Sequence, residues 1–154
     1  MNFRRLYDFL KSPRREYRSR GFGIHSPFAF RFVREVLKQP CAYYAYSSLD
    51  ALARKEGVDS RVVRAIFRIA LAVRPGRLEV RAPESYAIET ALRLGSAGAD
   101  ETPLKAVAGL YGEASRVVEE WAGSNRGMLF VAPEMAVFVI SDNLPKQRFD
   151  VAIS

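Results

Sequence analysis

The sequence holds one cysteine, Cys41, and one histidine, His25, in 154 residues. A single thiol cannot form an internal disulfide, and one imidazole with one thiol falls short of the ligand sets that hold zinc. Long apolar runs are missing too. Met135–Ile140 is far shorter than the roughly 20 residues a membrane-spanning helix needs, and Arg4, Arg5 and Asp8 interrupt any leader-like apolar segment at the start. No targeting segment, internal repeat or low-complexity stretch is evident, and a cytoplasmic setting fits best. At 49% hydrophobic and 27% charged residues, the composition is that of a globular chain with one core and an appendage.

Positive charge is in excess, and at one end only. Residues 1–38 carry ten basic groups against three acidic ones, which accounts for the whole net charge of +7. An electrostatic argument about anionic partners therefore applies to this arm, through Arg4, Arg5, Arg14, Arg15, Arg18 and Arg20, and not to the rest of the chain. Interleaved aromatics would suit phosphate contacts and base stacking on RNA. An amphipathic basic helix could equally lie on an anionic membrane surface, or the arm could meet a partner protein. Against these stands a plainer reading, a solvated arm that packs only its apolar stripe against the rest of the molecule.

That stripe is Phe3, Leu6, Tyr7 and Leu10, spaced i, i+3, i+4, i+7 on one face of a short helix ending before Pro13. Residues Arg14–Gly23 read as an exposed connector. Ser26 followed by Pro27 marks a helix start, with the serine as N-cap and the proline at the first helical position. This helix runs to about Lys38, buries Phe28, Phe32, Val33, Val36 and Leu37, and stops at Pro40. Ser48 can cap a brief helix over Leu49–Lys55. Asp59 or Ser60 opens a longer one from Arg61 to about Val73, ended by Pro75-Gly76.

Beyond residue 76 the period changes. Four short apolar runs read as strands: Arg77–Val80, Leu104–Ala108, Met128–Val131 with or without Ala136–Ile140, and Phe149–Ile153. Helical stretches at Glu84–Leu94 and Gly112–Ala122 lie between the first three. This alternation predicts βαβ units and an α/β fold with a parallel sheet over residues 59–154, preceded by a basic helical extension over 1–58.

The element order, together with Gly23-Ile24-His25-Ser26-Pro27-Phe28, the Phe-rich helix and Tyr43-Tyr44-Ala45-Tyr46, resembles a Bacteroidetes-type family of class I S-adenosylmethionine-dependent methyltransferases. The resemblance runs to Phe149-Asp150-Val151-Ala152-Ile153, which looks like that family's fourth strand. It implies a Rossmann-like partial sheet, S-adenosylmethionine as cofactor, and methyl transfer to an oxygen or nitrogen governed by positioning.

Carried over position by position, the resemblance assigns Glu79 to the acid that ends the first strand and Asp142 to the adenine contact after the third. It also exposes departures. Arg81, Ala82 and Pro83 stand where the family has glycine and small residues, which let the backbone approach the cofactor. Ala108 stands where the acid that binds the ribose hydroxyls belongs. The chain reaches only to Ser154, at or just before the position of a metal-binding acid in related O-methyltransferases. A fragment of a longer protein and a catalytically impaired homologue both fit, and a non-catalytic interaction module built on the basic arm is the competing reading. No catalytic residue can be named.

Each singled-out residue also has an ordinary explanation. Glu79 can pair with Arg77 or Arg81, and Ser141-Asp142-Asn143 is also a turn sequence. His25 titrates near neutrality, yet it has no carboxylate near it in sequence, and bracing the following helix is its simpler role. Cys41 fits a buried small hydrophobe. The three tyrosines fit a cover over one edge of the sheet domain better than a stacking platform.

Overall fold

The computed structural model describes residues 26–39, 43–73, 77–97, 104–141 and 144–154. Helix α1 spans Pro27–Phe32, with Ser26 extended as its N-cap and its Oγ accepting from the Ala29 N–H at 3.3 Å. A π-helical turn over Val33–Leu37 continues it, where an unbroken helix is expected. Helix α2, Tyr46–Glu56, closes on Gly57 in the left-handed region, φ +69°. It starts three residues earlier than its Ser48 cap suggests, because Tyr46 is buried and packs edge-on against Phe67. Helix α3, Ser60–Ala72, begins where Asp59 accepts from the Arg61 N–H at 2.9 Å.

Strand β1, Leu78–Arg81, leads to α4, Tyr86–Ala97, and then to β2, Lys105–Leu110. A 3₁₀ turn at Tyr111–Glu113 opens α5, Ala114–Ala122, and β3 (Met128–Val131), β4 (Met135–Ile140) and β5 (Gln147–Asp150) follow. The chain is thus α/β with one five-stranded, mostly parallel sheet, ordered β1-β2-β4-β3-β5.

The expected parallel sheet needs one correction. Strand β4 runs antiparallel to both its neighbours, β2 and β3. Only residues 132–134 separate β3 from β4, and so short a connection can only reverse the chain, since a parallel return needs a crossover of a dozen or more residues. A hydrogen bond from the Ala132 N–H to the Met135 carbonyl at 2.9 Å closes the turn. The last strand also differs: it pairs as Gln147–Asp150, parallel to β3, and forms the second edge of the sheet.

One face of the sheet joins α1–α4 in a single core that includes Ala29, Leu49, Ile66, Ala91, Phe130 and Val137. The described part of the N-terminal extension is therefore continuous with the sheet core. Among the described residues the other face is covered by α5, through Val117 on Val107, Leu129, Ala136 and Phe138. Both edge strands alternate. Leu78 and Val80 face the large core while Glu79 and Arg81 face the α5 side, where Arg81 meets Glu120 of that helix. On β5, Phe149 faces the core and its neighbours Arg148 and Asp150 pair with each other at 3.4 Å. Strands buried on both faces read as continuous apolar runs; on β1 the alternation leaves Glu79 open to water, whereas on β5 Asp150 stays buried.

Two close approaches fix the packing. A Cβ on Gly95 of α4 would fall 2.6 Å from the Ala70 Cβ of α3, so glycine lets these helices touch. Gly127 has φ +103°, and a Cβ there would lie 2.9 Å from the Val139 carbonyl and overlap the Phe138 ring. A column of phenylalanines runs from α1 across the core face of the sheet: Phe28 on Phe32 at 5.8 Å, Phe32 on Phe130 at 4.8 Å, and Phe130 on Phe149 at 5.5 Å between ring centroids.

Candidate functional site

In α/β sheets ligands bind beyond the carboxyl ends of the parallel strands, so the turn after β1 is the first place to build a site. Glu79 lies on β1 with its side chain 57% exposed, and Arg81 donates to it through Nε at 3.0 Å. The same guanidinium donates through Nη1 to Glu120. These two carboxylates, Glu120 foremost, raise the Arg81 pKa above its ordinary value. A bulky, doubly paired side chain thus stands at the carboxyl end of β1, where a cofactor turn needs bare backbone.

The next turn of chain is closed as well. Ser85 is buried and donates its hydroxyl to Glu56 at 2.6 Å, while the Ala87 N–H donates to the other Glu56 oxygen at 3.2 Å. The Ser85 Oγ in turn accepts from the Ile88 N–H at 3.3 Å. The N-terminus of α4, with its partial positive charge and free N–H groups, is therefore capped by a carboxylate from α2. Although a serine next to a carboxylate suggests a nucleophile and its base, both groups are spent on capping here, and no histidine lies among the described residues.

A second ionic group sits at the same end of the sheet. Arg61 bridges Asp59 at 2.8 Å and Glu134 at 3.1 Å. The hydrogen bond from Arg61 holds the Asp59 carboxyl below its usual range, against the opposing effect of partial burial. Glu134 also accepts through its carbonyl from the Tyr111 N–H at 3.0 Å, and Tyr111 is held at φ +55°, a backbone region that few non-glycine residues enter.

The remaining expectations fall as follows. Ala108 is fully buried within β2, beside Val80 of β1, so that position serves packing and has no room for a ribose-binding acid. Asp142, His25, Cys41 and the arginines of the arm from Arg4 to Arg20 lie outside the described residues. Of the basic extension's later residues, Arg31 lies 3.8 Å from Glu35, and the Arg34 guanidinium sits 5.7 Å from the Phe30 ring centroid. Tyr43 and Tyr46 pack on Phe67 of α3, and Tyr44 is fully exposed. Among the described residues no group of three or more His, Cys, Asp or Glu side chains could hold a metal ion, and no helix is long and apolar enough to cross a membrane.

Sequence reasoning missed Glu56, Ser85 and Arg68. Ser85 carried a signal, since a serine just before a helical stretch is a capping residue. Glu56 carried none, because its partners lie 29 and 31 residues away. Arg68 sits on the apolar side of α3, where an arginine is normally read as a surface residue. It is 2% exposed and donates to the carbonyls of Val36, Leu37 and Ser154 and to the Tyr46 hydroxyl.

The fold and its paired charges define an α/β protein with a five-stranded mixed sheet. No protein-family model, no curated protein and no solved structure matches the chain.

Proposed function

We propose that the chain is a class I methyltransferase-like protein of Rossmann-like ancestry whose cofactor turn has been converted into a structural ion-pair cluster, leaving it catalytically impaired. The reading of ancestry rests on the sequence words and element order described above. The impairment is carried by one observation: the Arg81 guanidinium, bound to Glu79 and Glu120 at the end of β1, fills the place of the glycine turn. Two further features support it. The Glu56 carboxylate caps α4, the helix end toward which a cofactor would point. Among the described strands β1 lies at the sheet edge with β2 as its one neighbour, so no second described strand flanks it to form a crevice between divergent connections.

On this reading Glu79 and Asp142 are remnants of the cofactor contacts, and S-adenosylmethionine does not bind in the family's manner. Calorimetric titration of S-adenosylmethionine into the folded chain tests it. No saturable heat is expected up to millimolar cofactor. A saturable one-to-one isotherm, or transfer of labelled methyl groups to any acceptor, overturns it.

A further inference from the structure

A groove of about 400 Å³ opens beside α1, floored by Phe28, Phe32 and Val36 and walled by Pro27, Ala72 and Leu104. Its floor is continuous with the aromatic column, since Phe28 stacks on Phe32 at 5.8 Å and Phe32 meets Phe130 at 4.8 Å. On its rim Arg31 and Glu35, 73% and 60% exposed, pair across one helical turn at 3.8 Å. Such a groove is built to accept a few apolar side chains and to leave charge at its edge.

We propose that the groove is the docking site of this chain's own residues 3–10. Those residues lie outside the described part of the structure, and only their sequence enters here. Phe3, Leu6, Tyr7 and Leu10 form one apolar stripe, and helix-in-groove recognition reads this i, i+3, i+4, i+7 spacing. Arg4, Arg5 and Asp8 fall off the stripe and would stay in water.

The chain's path favours this occupant over any other. Pro27, a wall of the groove, directly follows Ser26, and in the sequence only residues 11–25 separate Leu10 from Ser26. Connections of this size amply span neighbouring helices, since each residue reaches up to about 3.3–3.6 Å. A tether also holds its segment near the groove at an effective concentration on the order of millimolar, which a second copy at micromolar concentration cannot match. The proposal stands independently of the methyltransferase reading.

Disulfide trapping in the full chain, on a Cys41→Ser background, tests it. The on-stripe pairs Leu6→Cys with Arg31→Cys and Leu10→Cys with Glu35→Cys should close under mild oxidation within one molecule. Closure should be at least about ten-fold faster than for off-stripe controls that place cysteine at Arg5 or Asp8 with the same rim partners. The rim positions are exposed, so the fold tolerates them, and unchanged circular dichroism and melting of each reduced variant check this. Equal rates for on-stripe and off-stripe positions overturn the proposal, as does a disulfide found only between molecules, which would make a second copy the occupant.

Discussion

Arg68 donates through Nη1 to the Tyr46 hydroxyl at 2.8 Å, deep between α2 and α3. Its Nη2 reaches the Leu37 carbonyl at 3.0 Å and the Ser154 carbonyl at 2.8 Å, and its Nε reaches the Val36 carbonyl. The fork therefore ties the end of the π-helical turn, the start of α2 and the segment after β5 to a single side chain.

Arg68→Met would take this donor from the Val36 and Ser154 carbonyls and the Tyr46 hydroxyl, while the Leu37 carbonyl keeps the Ser154 N–H, and should lower stability by about 3–5 kcal/mol in urea unfolding. Arg68→Lys keeps the charge but not the planar fork, so it should fall between wild type and Met. A lysine variant as stable as wild type would show that the charge matters and the fork does not.

Gly127→Ala should cost at least about 2 kcal/mol, since alanine is strained at φ +103° and its Cβ would overlap the Phe138 ring. Gly57→Ala is the control: its φ is +69°, yet no atom lies within 4 Å of an added Cβ, so its loss should be the smaller. Parallel denaturation curves read the difference, and equal losses would place the whole effect in backbone strain.

Glu56→Ala removes a cap from α4 and should destabilise by about 1–2 kcal/mol. Glu56→Gln keeps an oxygen for one of the two donors and should lose less. Amide hydrogen exchange should speed up first at Ala87 and Ile88. Uniform acceleration across the chain would instead assign Glu56 a general packing role.

Asp59 gives a pH dependence whose sign is set by its lowered carboxyl. Its charged form is favoured by the fold, so its contribution is complete above the unfolded value of about 4 and is lost as pH falls through the lower folded value. Asp59→Asn still caps α3 but cannot ionise. The Tm gap between wild type and Asp59→Asn should therefore be constant at neutral pH and shrink below about pH 4. A gap that persists unchanged at pH 2 would remove the charge from the account.

Much of the secondary structure was written locally. Ser26-Pro27 starts α1 as expected, and Met128–Val131 is a strand with the expected bounds. Strand direction was not legible. Met135–Ile140 is buried along nearly its whole length, and a run that is apolar on both faces says nothing about which way it points. On β1 the alternation Leu78-Glu79-Val80-Arg81 leaves Glu79 exposed, whereas on β5 Asp150 is buried beside Arg148, so the same kind of pattern has two outcomes. The capping of Ser85 by Glu56 and the clamp at Arg68 depend on contacts across 29 or more residues for Glu56 and up to 86 for Arg68, which no local window contains.

The reversed strand at the centre of the sheet also orders how the sheet comes together. Strands β3 and β4 close over residues 132–134, the shortest loop of any strand pair here, and loop closure grows costlier with length. The central hairpin can therefore form early, with β2 docking on β4 and β5 on β3 afterwards. Strands β1 and β5, each paired with one neighbour among the described strands, join at the margins and open before the centre does. The most permanent part of the molecule is its middle, and the Arg81 ion-pair cluster lies on one of the two strands that assemble last.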